Sequence, residues 1–138
     1  MPAVLRCDRE TTTTLRVRYA ETDQMGVVYY ANYLVWFEVA RCEWFRETGW
    51  TYGGLEASGT VLPVIEAHCE YRQPARYDDE IRILSRAQLL SPVRLRFDYE
   101  VMRPGVDEPA ARGWTVHAAV DGLGRPRRLP REVRSLFS

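Results

Sequence analysis

The chain has 138 residues, 46% hydrophobic and 28% charged, with 19 basic and 19 acidic residues and so a formal net charge of zero. That length and composition fit one globular domain over residues 1–138 with an ordinary core. Balanced charge excludes a broad electrostatic footprint for nucleic acid or an anionic membrane surface, and the longest uncharged run, residues 24–37, is too short and too rich in Tyr to insert into a bilayer.

Residues 1–10 carry Arg6, Asp8, Arg9 and Glu10 and no apolar stretch. They therefore read as a flexible start and not as a secretory signal. Leu15, Val17 and Tyr19 alternate with Arg16 and Arg18, the pattern of a half-buried strand. Residues 20–28, with Thr22, Asp23 and Gly26, read as a loop. A helix is predicted over about residues 31–48, free of Gly and Pro and followed by Gly49. Its apolar residues, among them Leu34, Val35, Trp36, Phe37, Val39 and Ala40, fall around most of the circumference, which predicts burial on several sides. Glu38 and Arg41 are spaced to pair.

Residues 50–60, with Gly53, Gly54 and Gly59, read as a loop. Ile65, Ala67, Cys69 and Tyr71 then alternate with Glu66, His68, Glu70 and Arg72. A less regular strand covers residues 80–89, and Leu95, Phe97, Tyr99 and Val101 form the clearest alternation in the chain. A last strand covers residues 113–120. Short links with Pro, Gly and Asp favour antiparallel pairing. The tail, residues 123–138, is basic and reads as solvated, with a short helix possible after Pro130. One strand, one apolar helix and four strands suit an antiparallel sheet wrapped around the helix, although this order also permits other α+β sheets.

Three widely spaced cysteines, Cys7, Cys42 and Cys69, support neither a zinc site nor a disulfide framework and fit a reducing cytoplasm. His68 and His117 stand alone, without metal-ligand spacing to any Cys or acid. All 19 basic residues are Arg. Genome base composition can produce that bias without functional meaning, whereas Arg forks would suit a phosphorylated ligand.

The segment that can carry chemistry is residues 19–32, Y-A-E-T-D-Q-M-G-V-V-Y-Y-A-N. It places a carboxylate, Asp23, on a glycine-containing loop just before a helix whose first N–H groups lack internal partners and carry partial positive charge. Asp23 and the N–H groups near Tyr30 could bracket one carbonyl carbon, the carboxylate attacking it or activating water and the N–H groups holding the oxyanion. A simple turn or capping role for Asp23 explains the same residues.

The stretch R-V-R-Y-A-E-T-D-Q-M-G-V-V-Y-Y-A-N-Y-L-V-W-F-E-V-A-R resembles the signature of the 4-hydroxybenzoyl-CoA thioesterase family, hotdog-fold acyl-CoA thioesterases that include those of Tol–Pal gene clusters. The resemblance implies an α+β hotdog fold, a five-stranded antiparallel sheet around one long helix. It implies hydrolysis of acyl-CoA to free acid and coenzyme A, with Asp23 as nucleophile or general base, Tyr19 as its support and the Tyr30 N–H as oxyanion donor. Gly26, Val27, Tyr29 and Tyr33 of the same segment are expected to contact substrate, and Arg72 and Arg76 are candidates for the coenzyme phosphates, as are Arg94, Arg96, Arg127 and Arg128. The Tyr30 position holds His in many short-chain acyl members and Tyr in the hydroxybenzoyl type, which this chain matches. The family further implies no metal or organic cofactor and a homodimer or homotetramer. The alternative from another class is a non-catalytic acyl-CoA-binding or partner-binding hotdog module. A hotdog dehydratase wants a His base, and neither histidine lies in this segment. Glu38 is a weaker candidate for a second catalytic carboxylate than for an ion pair.

Overall fold

The computed structural model describes residues 4–138. Five strands, β1 (Leu5–Arg16), β2 (Val64–Tyr71), β3 (Glu80–Ser91), β4 (Arg94–Met102) and β5 (Ala111–Ala118), form one antiparallel sheet in the order β1-β3-β4-β5-β2. The clearest alternation in the sequence is therefore the centre of the sheet: Leu95, Phe97, Tyr99 and Val101 of β4 are buried, and the residues between them are not. Ile81, Ile83, Ala87 and Leu89 of β3 extend the same buried face.

Across that face lies the long helix α1 (Asn32–Glu47). Its buried residues recur at helical spacing: Tyr33, Trp36, Phe37, Ala40, Trp44 and Phe45. Phe37 stacks on Tyr99 with centroids 4.2 Å apart, and Trp44 meets Phe97 edge-on at 5.3 Å. Each of these fully buried rings contributes about 1.5–3 kcal/mol through burial. Gly113 of β5 permits this close packing. A Cβ there would lie 2.7 Å from the Phe37 ring and would also collide with the His68 carbonyl of β2.

Several sequence expectations change. Burial of α1 on several sides gives way to one buried face, for Leu34, Val35 and Val39 are 39%, 47% and 41% exposed. Arg41 does not pair with Glu38, which is exposed; its Nε donates to the Tyr52 hydroxyl at 3.1 Å. Residues 50–60 are not all loop. The Thr51 side chain accepts the Gly54 N–H and starts a short helix, α2 (Tyr52–Ala57).

The first strand starts at Leu5, so residues 5–10 are strand where a flexible start was expected; residues 1–3 lie outside the described residues. Thr11 and Thr13 take the core-facing positions. Threonine is β-branched and suits a strand, yet a run of four gives no apolar alternation. At the other end, Tyr19 lies beyond the strand and is exposed.

The tail is not simply solvated. The short helix α3 (Arg131–Arg134) follows Pro130, and Leu129, Val133 and Phe137 are buried while most of the arginines stay outside. Ser138 exchanges two backbone hydrogen bonds with Arg6, fastening the tail to β1. The alternation predicted for β2 is covered only in part: Cys69 packs against the core, while the rest of the apolar set is exposed. Ile65 and Tyr71 are each 48% exposed on this edge strand.

Candidate active site

Beyond β1 the chain makes a 3-10 turn, Tyr19–Glu21, and then a loop that returns to α1. The loop is closed by its own backbone. Thr22 bridges Val28, the Asp23 N–H donates to the Val27 carbonyl at 2.9 Å, and the Gly26 N–H donates to the Asp23 carbonyl at 3.0 Å. Gly26 has φ of 78°, a left-handed conformation that a side chain would strain. One oxygen of Asp23, Oδ1, accepts the Met25 N–H at 2.9 Å. No hydrogen bond engages Oδ2 among the described residues.

A second carboxylate holds this loop against the helix. Glu21 is 4% exposed, and its two oxygens accept the Arg18 N–H and the Trp36 indole N–H, both at 2.8 Å. Its main-chain carbonyl accepts the Tyr29 N–H at 2.8 Å and the Asn32 side chain at 2.9 Å. Hydrogen bonds to a buried carboxylate are each worth about 1.5–3 kcal/mol, so Glu21 fixes both ends of the segment that contains Asp23. Sequence reasoning missed Glu21. The available signal was an acid flanking the candidate Asp with a Trp on the inner face of the coming helix.

Where the loop enters α1, the N–H groups of Tyr30 and Ala31 make no hydrogen bond among the described residues, whereas those of Tyr29, Asn32, Tyr33 and Leu34 are all engaged. They sit at the positive end of a 16-residue helix. Asp23 and Tyr30 line one cleft of about 320 Å³. Val27, Val28, Met25 and Tyr33 give it an apolar side, and the end of β2 with the following turn closes it through Tyr71, Arg72, Gln73 and Pro74. The rings of Tyr30 and Tyr33 both meet Tyr71 edge-on, at 6.5 and 5.0 Å. Burial pushes the Tyr33 and Tyr71 phenols upward, so both stay protonated at neutral pH.

Of the residues singled out in the sequence, Asp23, Val27, Tyr30, Tyr33 and Arg72 line this cleft. Gly26 shapes the turn from outside it, and Tyr29 leans on Tyr30 with centroids 4.6 Å apart. Tyr19 does not support Asp23. Its ring packs edge-on against Tyr77 at 5.8 Å, because the 3-10 turn carries it outward, and no hydrogen bond joins it to the carboxylate. Arg76 is also outside the cleft; its backbone N–H donates to the Asp79 carboxylate. Arg72 lies 3.6 Å from Glu70, half-exposed. Arg96 is committed to Asp98 and the Trp114 ring, and Arg127 donates to the Ser58 carbonyl. Glu38 lies outside the cleft, on the exposed side of α1. Met25, Val28, Tyr71, Gln73 and Pro74 were not anticipated in the site; the last three reach it only through the pairing of β2 in the sheet.

His117 lies far from this chemistry in the fold's interior. Its ring bonds the Leu62 carbonyl and Thr115, and burial pushes its pKa down to about 4. Among the described residues no group of His, Cys, Asp or Glu is placed to hold a metal ion, and no helix is long and apolar enough to cross a membrane.

The sequence profile of the thioesterase-like superfamily matches residues 17–137. YneP of Bacillus subtilis, whose name marks it as a candidate acyl-CoA thioesterase, is 34% identical over 107 residues, covering 78% of this chain and 77% of that one. The acyl-CoA thioesterase YbgC of Haemophilus influenzae is 32% identical, covering 89% and 90%. A solved structure of DHNA-CoA thioesterase from Staphylococcus aureus superposes with a TM-score of 0.83 at 31% identity, covering 91% of this chain and 85% of that one.

Proposed function

Since this chain belongs to the thioesterase-like superfamily and has the hotdog fold, we propose that it hydrolyses acyl-CoA thioesters in the cleft between Asp23 and the start of α1. The observation that carries this reading is a carboxylate with a free oxygen that lines one cleft with Tyr30, at a helix start where the Tyr30 N–H and that of the next residue, Ala31, have no partner among the described residues. A thioester carbonyl lying between them would have its oxygen on the N–H groups of Tyr30 and Ala31. Its carbon would face Asp23. As general base, Asp23 takes a proton from water while the hydroxyl adds to the carbon. As nucleophile, it adds directly and forms an anhydride that water then opens. In both routes negative charge collects on the carbonyl oxygen, where one donor is worth about 10²–10³-fold in rate. Collapse of the tetrahedral intermediate expels the coenzyme thiolate, a good leaving group because an alkyl thiol such as that of Cys has a pKa of about 8.5.

Arg72, which lines the cleft, would serve a coenzyme phosphate, and Tyr30 and Tyr33 would border the acyl group. The same reading takes the chain to be a homo-oligomer, and an open sheet edge beside the cleft supports this. The edge strand β2 is open, its Ile65 and Tyr71 are exposed, and Tyr71 also borders the cleft. A second copy along that edge would cover both the strand and the site's open side. Sedimentation that shows only monomer at micromolar concentration would count against this.

The functional test is thiol release from benzoyl-, acetyl- and hexanoyl-CoA by the wild type and Asp23→Asn. Asn is nearly isosteric but can neither attack nor accept the proton. Turnover is expected to fall about 10²–10⁴-fold, with coenzyme A affinity and melting temperature retained. An Asp23→Asn protein within threefold of wild type would refute the assignment. Acylated Asp23 recovered from quenched reactions would assign the nucleophilic route, and full turnover without it the general-base route.

A further inference from the structure

The two free N–H groups belong to successive peptide units, and each unit is fixed on its carbonyl side. In the unit joining Tyr29 to Tyr30, the carbonyl accepts the Asn32 N–H at 2.9 Å, a bond internal to the helix start. In the unit joining Tyr30 to Ala31, the carbonyl accepts the Tyr33 N–H at a longer 3.3 Å and the Tyr71 hydroxyl at 2.9 Å. Tyr71 comes from the end of β2, 41 residues further along the chain.

In a planar trans peptide the C=O and N–H vectors point in opposite directions, and no peptide bond among the described residues is cis. A donor that pins the Tyr30 carbonyl therefore aims the Ala31 N–H. It also polarises the amide, since a hydrogen bond to the carbonyl strengthens the N–H as a donor, by about 10–30% in condensed-phase estimates. The helix start alone gives this unit only the longer bond. Tyr71 adds the shorter one, and its ring is already seated edge-on against Tyr33 and Tyr30.

We infer that Tyr71 is a positioning residue for the reaction, its hydroxyl aiming and polarising the Ala31 N–H that holds the oxyanion. The inference rests on the reading of Asp23 and the helix N–H groups given above. It assigns the edge strand a part in the chemistry that no residue of the Asp23 segment can supply. The effect acts on the transition state, where the carbonyl oxygen carries its full charge, and hardly on ground-state binding.

Tyr71→Phe is the test, because it removes one oxygen and leaves the ring packing in place. It should lower kcat for benzoyl-CoA about tenfold, a fraction of the loss expected for a whole oxyanion donor. KM and the melting temperature should stay near wild type. In the ligand-free protein the Ala31 amide proton should move upfield as the carbonyl bond is lost, while amides of β4 stay in place. Asp23→Asn is run beside it. If Asp23→Asn loses turnover but Tyr71→Phe keeps kcat within twofold, the inference fails and the Asp23 reading stands. A raised KM at unchanged kcat would assign Tyr71 to substrate contact instead, and a lowered melting temperature at unchanged kcat would assign it to packing; either overturns the inference. If Asp23→Asn keeps its turnover, the underlying reading fails and the role of Tyr71 fails with it.

Discussion

The two ends of α1 treat polar groups in opposite ways. At its C-terminal half, Arg41 lies against the hydroxyls of Tyr52 and Tyr99, Tyr99 bonds Thr115 at 2.7 Å, and Thr115 bonds His117, which bonds the Leu62 carbonyl. Every member has a partner, and most are buried. At its N-terminus, Tyr30 and Ala31 leave their N–H groups free among the described residues, and Asp23, which lines an open cleft with Tyr30, keeps one oxygen unused. Satisfied polar groups hold a fold together, while unsatisfied ones at an accessible helix start are available to a ligand. The contrast predicts that changes in the interior network cost stability and spare turnover, and that changes in the cleft do the reverse.

The largest stability effect should come from acid. Burial holds the pKa of His117 at about 4, against 6.5 for a free His, with the Arg41 charge also lowering it. The unfolded chain therefore binds a proton here that the folded one refuses. The stability this site supplies is full above about pH 6.5 and is lost as pH falls toward 4, by up to about 3 kcal/mol. Denaturant unfolding at pH 7, 5.5 and 4.5, with an NMR titration of the His117 ring, reads this directly. An imidazole that protonates near pH 6.5 in the folded protein would break the contrast.

A smaller effect is expected from Tyr99→Phe, which removes the hydroxyl shared with Thr115 and Arg41. Unfolding should become easier by about 1–2 kcal/mol, with kcat/KM within twofold of wild type. A loss of turnover without a loss of stability would place the network in the mechanism. Smallest in stability should be Tyr30→Ala. Tyr30 is 60% exposed, so the change should stay within about 0.5 kcal/mol. The order of kcat/KM among benzoyl-, acetyl- and hexanoyl-CoA should nevertheless shift. Unchanged ratios with a lower melting temperature would assign the side chain to packing and leave only its backbone to the site.

Much of this was legible in the sequence where periodicity is set by burial on one face. Strands β3, β4 and β5 and the helix α1 fall close to the residues the pattern marked. Strand β1 was cut short because its core-facing positions 11 and 13 are Thr, which no apolar alternation reveals. The tail was misread because three apolar residues, Leu129, Val133 and Phe137, are spread among arginines, and only the tertiary fold tells which set decides. In the site, the Asp23 segment was visible because its parts are contiguous. Tyr71, Gln73 and Pro74 were not, since their approach depends on β2 pairing at the far edge of the sheet. Tyr19 was assigned by the family resemblance and Arg76 by its charge near a strand end; the 3-10 turn carries Tyr19 outward against Tyr77, and Arg76 lies outside the cleft.

The central claim is that the Tyr30 and Ala31 N–H groups receive the carbonyl oxygen of a bound thioester. Amide NMR of the Asp23→Asn protein, titrated with benzoyl-CoA, tests it without turnover. The account predicts that the Tyr30 and Ala31 amide protons shift downfield together as the site fills, while amides of β4 stay in place. Saturation of the protein with both amides unmoved would contradict it.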